Sequence, residues 1–179
     1  MKSWAKIIFV ICAVIIFYVA ASPGIAAAQN KGGTKPSNGD YSLCRDENLI
    51  GNYYKMVLFT ETPERGESAW IHNIPYHYLA FFPDRYYSYL ASDKEITTPA
   101  KLEELLQWPR KSSHLMLYTL GSKGDLNLYN GKVINYRYRC FVIKADSGVY
   151  KKGDLILTGY NREAKSELYK IYRLWYKRG

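Results

Sequence analysis

The chain is 179 residues long and basic, with 25 Lys and Arg against 16 Asp and Glu, a formal net charge of +9 and 18 tyrosines. That length supports one core and excludes a second domain of comparable size. A charge of this size speaks to association rather than fold. With no tight basic cluster and no recognisable RNA- or DNA-binding signature, it implies a soluble surface loosely attracted to anionic lipid or polysaccharide, and no nucleic-acid partner.

The N-terminus reads as a secretory signal. Lys2 and Lys6 precede the apolar run Ile7 to Ala21, and Ala26-Ala27-Ala28 stands before Gln29, the order of charge, apolar core and small residues that signal peptides use. The apolar run is about fifteen residues long and Pro23-Gly24 breaks it, whereas a spanning helix needs roughly 20. Cleavage near Ala28 and a periplasmic or secreted product are therefore expected; the alternative is a segment retained as an anchor. Cys12 does not make a lipoprotein signal, because Ile11 stands where a small residue is required. Residues 29–43 follow as an expected flexible leader, since Gln29 to Asp40 is rich in Gly, Asn, Lys and Ser and has no apolar anchor. A single domain is expected over residues 44–179.

Loss of the signal leaves Cys44 and Cys140, and an even pair in an oxidising compartment is most simply one disulfide. Closing a loop of roughly 100 residues would contribute about 4 to 5 kcal/mol through lost chain entropy. The alternative is two free thiols, although neither sits in a Cys-x-x-Cys pair or beside a group that would activate a thiolate.

From Gly51 onward the apolar residues alternate and Tyr, Val, Ile, Phe and Leu dominate, as in strands. Strands are predicted at Asn52–Glu61, Tyr76–Pro83, Arg85–Ala91, His114–Leu120, Asp125–Tyr129, Val133–Lys144, Asp154–Tyr160 and Ser166–Tyr176. Short turn-forming links such as Pro83-Asp84, Gly121-Ser122-Lys123-Gly124, Asn130-Gly131 and Lys152-Gly153 imply sequential antiparallel pairing. One helix interrupts the series: Thr98-Pro99 starts it, Leu102, Leu105 and Leu106 give it a stripe, and Trp108-Pro109 is expected to end it. Its role is to plug an end of the β structure or to cover an open side. The fold class is all-β, with about eight antiparallel strands in an up-and-down barrel or a two-sheet sandwich and one short helix. An eight-stranded barrel is either filled by its side chains or just wide enough for a small ligand.

The two ends of the domain carry a resemblance. Leu49-Ile50-Gly51-Asn52-Tyr53 opens the first strand, and Tyr169-Lys170-Ile171-Tyr172-Arg173-Leu174-Trp175 forms the last. This resembles the calycin pattern of lipocalin-like proteins, in which a Gly-x-Trp at the start of the first strand packs its ring beneath the barrel against an Arg near the end of the last. Gly153 to Tyr160 and the strand after it are similar to the closing hairpin of small bacterial lipocalin-like domains. The resemblance implies an up-and-down calycin-like barrel closed by Gly51, Tyr53 and Arg173, the last two in a cation–π contact worth about 0.5 to 2 kcal/mol.

Chemical motifs are sparse. His72 and His77, five positions apart with Pro75 among the four residues between them, fit neither a helical ligand pair nor one face of a strand. With His114 they are expected at loops or rims, with no metal site. The carboxylates are scattered, and no nucleophile elbow, metalloprotease helix or phosphate loop is present. A non-enzymatic protein without a cofactor is expected. The aromatic runs Tyr76-x-Tyr78 and Tyr86-Tyr87-x-Tyr89 are the remaining signal, since tyrosine combines apolar area with a polar tip suited to an amphipathic guest. Tyr78, Tyr87 and Tyr89 are candidate ligand contacts. In the strand from Tyr136 to Lys144, Tyr136, Tyr138, Cys140 and Val142 share one face, while Arg137, Arg139 and Phe141 share the other. If the second face lines the lumen, its guanidinium groups would grip a carboxylate or phosphate head group beside Phe141. If it faces out, they are solvated charges.

Two functions are compatible with these features. One is a carrier or sensor for a small amphipathic or aromatic ligand, with a cavity above roughly 300 Å³ lined by Tyr and Phe. The other is an envelope interaction protein, such as an inhibitor of a secreted enzyme or an accessory factor for a surface assembly. It would use a filled barrel and an exposed apolar loop at Trp70, Ile71 and Ile74. The carrier is favoured.

Overall fold

A computed structural model describes residues 39–62, 71, 73–111, 116–161 and 165–178. The expected signal segment, the leader through residue 38, Trp70, His72 and His114 lie outside the described residues. The elements are β1 (Tyr41–Leu43), α1 (Asp46–Leu49), β2 (Asn52–Thr62), β3 (Tyr76–Phe81), β4 (Tyr87–Ser92), α2 (Pro99–Lys111), β5 (Met116–Leu120), β6 (Asp125–Asn130), β7 (Val133–Ile143), β8 (Leu155–Asn161) and β9 (Ser166–Lys177).

Strands β2 to β9 form one meander in the order β4-β3-β2-β9-β8-β7-β6-β5, with antiparallel ladders throughout. The two end strands meet at a seam held by the Tyr86–Leu117 bridge and by the Tyr118 N–H, which donates to the Arg85 carbonyl at 2.8 Å. The sheet is thus an all-β, nearly closed eight-stranded barrel, and each of the eight predicted strands is present. Two elements were not foreseen. Tyr41–Leu43 pairs with residues 141–143 of β7, so a strand occupies the last part of the expected leader. Helix α1 follows it directly. Helix α2 also runs through Pro109 to Lys111, so Trp108-Pro109 does not end it, and the proline falls in its last turn.

Strand alternation sorts the side chains into an inner and two outer layers. Inside lie Tyr54, Leu79, Phe81, Tyr118, Leu126, Tyr138, Cys140, Leu155 and Tyr172. A bulge in β2 between Met56 and Leu58 leaves Val57 exposed and shifts the phase, so that Met56 and then Phe59 point inward. On the outer wall, Leu102 and Leu106 of α2 are fully buried against Tyr53, Tyr78 and Ala80. The helix therefore covers a side of the barrel. Elsewhere on the outside, Tyr41 and Tyr150 pack over Ile143, Ile156 and Ile171.

One end of the barrel is plugged by the segment around α1. Leu49 is 0% exposed in the inner cluster. The Asn48 carbonyl accepts from the Tyr54 hydroxyl and, at 2.7 Å, from Asn52 Nδ2. Cys44 and Cys140 form the expected disulfide, with their Cα atoms 5.4 Å apart, inside the range such bonds need. It fastens the plug to β7 where Gly124 packs closely: a Cβ there would stand 2.8 Å from the Cys140 carbonyl oxygen, at φ +75°.

Candidate functional site

Toward the other end the inward side chains leave a partly enclosed cavity of about 200 Å³. Leu79, Leu128 and Leu157 are apolar lining, each paired across a ladder with a polar lining residue, Tyr89, Tyr136 and Lys170 in turn. Tyr87 and Tyr89 of β4 and Met116 of β5 stand on one side, with Asn135, Tyr136 and Tyr138 of β7 and Tyr172 of β9 on the other. Lys170, the central inward residue of β9, completes the lining and is only 6% exposed.

The backbone makes room for this arrangement at Gly159. It pairs with Tyr138 across the β7–β8 ladder, and a Cβ there would lie 2.8 Å from both the Arg137 carbonyl oxygen and the Tyr138 ring. Only glycine lets that ring lie over the strand. Tyr138 then stacks on Tyr136, with centroids 5.7 Å apart and an interplanar angle of 13°. Lys170 Nζ donates to the Tyr138 hydroxyl at 3.0 Å and stands 5.3–5.4 Å from the ring centroids of Phe59, Tyr136 and Tyr138. Rings at this distance stabilise an ammonium electrostatically in place of part of its lost hydration. The result is a cation fixed on the wall of a tyrosine-lined space.

Behind Tyr89 lies His77, 1% exposed. Its Nδ1 is hydrogen-bonded to the Tyr89 hydroxyl and its Nε2 lies 3.3 Å from the Ile71 carbonyl. A carbonyl can only accept, so in the neutral ring the proton belongs on Nε2, and Nδ1 accepts from Tyr89. Burial, with Tyr136 adding to it, pushes the Tyr87 hydroxyl up to about 12.

Of the six ligand contacts expected from sequence, Tyr87 and Tyr89 line this cavity. Tyr78 faces outward beneath α2, where its hydroxyl accepts from the Ile96 N–H at 2.9 Å. Arg137 and Arg139 are exposed on the outer face of β7, Arg139 paired with Asp125 at 3.3 Å. Phe141 packs on the outside, edge-on to Tyr41 at 4.9 Å. The guanidinium grip on a head group is therefore corrected: strand parity turns Tyr136 and Tyr138 inward and both arginines out. The cation inside is Lys170, which the sequence reading passed over. Its signal was present in the alternation Ser166, Leu168, Lys170, Tyr172, Leu174, where a lysine stands among inward positions of the last strand. His77 is a buried strand residue, which corrects its expected place at a loop or rim.

The barrel-closing contact also differs. Gly51 opens β2 at φ +73°, and its carbonyl accepts from the Arg178 N–H at 2.8 Å. Tyr53, however, lies opposite Tyr176 while Arg173 lies opposite Lys55. Tyr53 packs outward against Tyr176 and Phe82, with centroids 5.7 and 6.5 Å apart. Arg173 reaches the Asp154 carboxylate at 3.2 Å and the Val149 carbonyl at 2.8 Å, so it anchors the β7–β8 loop to the outside wall. In the expected partner loop, Ile71 is buried and Ile74 half-buried, so neither forms an exposed platform. Among the described residues no group of three His, Cys, Asp or Glu is placed to hold a metal, and no helix is long and apolar enough to cross a membrane.

Compared with known proteins, the chain matches no family model, no curated protein and no solved structure.

Proposed function

We propose that this protein is an exported, non-enzymatic binding protein whose lipocalin-like barrel holds a small amphipathic or aromatic molecule. The observation that carries this reading is the interior cavity, lined by five tyrosines, a lysine and three leucines. An eight-stranded barrel needed only for stability is best filled by apolar side chains, because a void forfeits packing on every wall. The signal-like N-terminus and the Cys44–Cys140 disulfide support export to an oxidising compartment. At about 200 Å³ the space is smaller than the roughly 300 Å³ expected of a drug-sized site, which restricts the guest to a small molecule.

That modest volume, together with the packed plug end, favours a second reading, an envelope scaffold whose barrel serves only as a rigid support. Non-denaturing mass spectrometry on exported protein separates the two. A mass excess lost on denaturation supports the binding protein and gives the class of its cargo. A bare chain that binds no small aromatic or amphipathic compound on titration favours the scaffold.

A further inference from the structure

We propose that the cavity recognises a phenol, a single aromatic ring bearing a hydroxyl, with that hydroxyl hydrogen-bonded to the Tyr87 hydroxyl; this rests on the binding reading above and names its ligand class. Three observations lead there. The first is size. A cavity of about 150 Å³ holds a benzene-sized guest, so about 200 Å³ admits one ring and one small substituent.

The second is the make-up of the walls. Five of the lining residues are tyrosines, carried by β4, β7 and β9, and Tyr136 and Tyr138 already stack with centroids 5.7 Å apart. Aromatic rings gain from offset-stacked or edge-on neighbours beyond the area they bury. A planar ring therefore profits from these walls more than an aliphatic chain of the same volume.

The third is the hydrogen bonding of those tyrosines. The Tyr89 hydroxyl is bonded to His77 Nδ1, and the Tyr138 hydroxyl accepts from Lys170 Nζ at 3.0 Å. Tyr136 and Tyr172 have further interactions with the protein. Tyr87 differs from all four. It is 5% exposed and lines the void, yet its hydroxyl has no hydrogen-bond partner among the described residues. Burial, with Tyr136 adding to it, holds this hydroxyl in its protonated form. A largely desolvated hydroxyl without a partner forgoes a hydrogen bond that water would have given it. Since a phenolic hydroxyl both donates and accepts, a hydroxyl on the guest answers it either way. A guest of the same shape without that oxygen leaves Tyr87 unanswered, which is how a buried polar group discriminates between near-isosteric ligands.

The test uses the exported, processed protein, titrated calorimetrically with phenol and toluene, which are alike in size and differ by one hydroxyl. Transfer from water alone favours toluene, because a hydroxyl is costly to bury unpaired. Phenol is nevertheless expected to bind at least about tenfold more tightly. Tyr87→Phe should abolish that preference while leaving toluene binding unchanged or tighter. Toluene bound as tightly as phenol by the unaltered protein, or a preference that survives in Tyr87→Phe, overturns the assignment to Tyr87 and leaves the binding reading intact. Absence of binding by either compound at millimolar concentration overturns both. Should Tyr87→Phe fail to fold, the phenol-to-toluene ratio of the unaltered protein still decides.

Discussion

The two ends of this barrel use the same residue types for different ends. At the plugged end, the Tyr54 hydroxyl donates to the Asn48 carbonyl and Cys44 is bonded to Cys140. Every polar group named there is matched to the fold itself. At the cavity end, Tyr87, Tyr89, Tyr136 and Tyr138 gather around Lys170 and border open space. At the plugged end the tyrosine hydroxyl is answered by a backbone carbonyl, and at the cavity end the hydroxyls of Tyr89 and Tyr138 are answered by the side chains of His77 and Lys170. Aromatic content alone does not separate the two ends; the kind of partner does.

The sharpest way to break this comparison is to release the plug. Cys44→Ala with Cys140→Ala should lower stability by about 4 to 5 kcal/mol if chain entropy dominates, read from urea unfolding extrapolated to water, with a steeper slope because the unfolded chain expands without the cross-link. A loss below about 1 kcal/mol would mean that α1 holds the end closed without the bond. Next in size is the cavity wall. Gly159→Ala forces a Cβ into the Arg137 carbonyl and the Tyr138 ring, and overpacking of this kind costs about 1 to 3 kcal/mol. Because the displaced ring lines the cavity, binding of a small aromatic guest should fall as well. A destabilised variant that binds such a guest normally would remove Tyr138 from the site.

The fold was legible because it rests on alternation and turns, which are local. Asn130-Gly131 and Lys152-Gly153 mark hairpins that need only short-range chemistry. The site was half legible. Tyr87 and Tyr89 come from a conspicuous aromatic cluster, but the direction of β7 depends on which face meets the rest of the barrel, and its exposed arginines drew attention away from its inward tyrosines. Lys170 was hidden because a lone lysine in a basic chain resembles a surface charge until the inward face of β9 is fixed. The Tyr53–Arg173 pair failed for a similar reason. The ladder between β2 and β9 shifts register between Tyr53 and Tyr54 and again between Met56 and Leu58, and no local pattern announces a bulge.

Alkaline pH acts on both ends. Burial raises Tyr87 to about 12, and raises Tyr54 and Tyr169 above their ordinary value as well; unfolded tyrosine titrates near 10. For an acid whose folded value is raised, the stabilisation is fully present below the unfolded value and is lost as pH climbs through the folded one. Denaturant midpoints should therefore hold up to about pH 10 and fall from there toward pH 12. Tyr87→Phe should reduce the fall and leave stability at pH 7 nearly unchanged. A loss that begins well below pH 10 would point to another group.

The smallest effects are expected on the outer face of β7. Arg137→Ala and Arg139→Ala remove exposed side chains, the second paired with an equally accessible Asp125, and exposed ion pairs contribute about 0 to 1 kcal/mol. Each substitution should change stability by less than about 0.5 kcal/mol and leave the affinity for a small aromatic guest within twofold. These residues carry the charge that a sequence would assign to an anionic ligand, yet they stand on the outside of the barrel and Lys170 inside it.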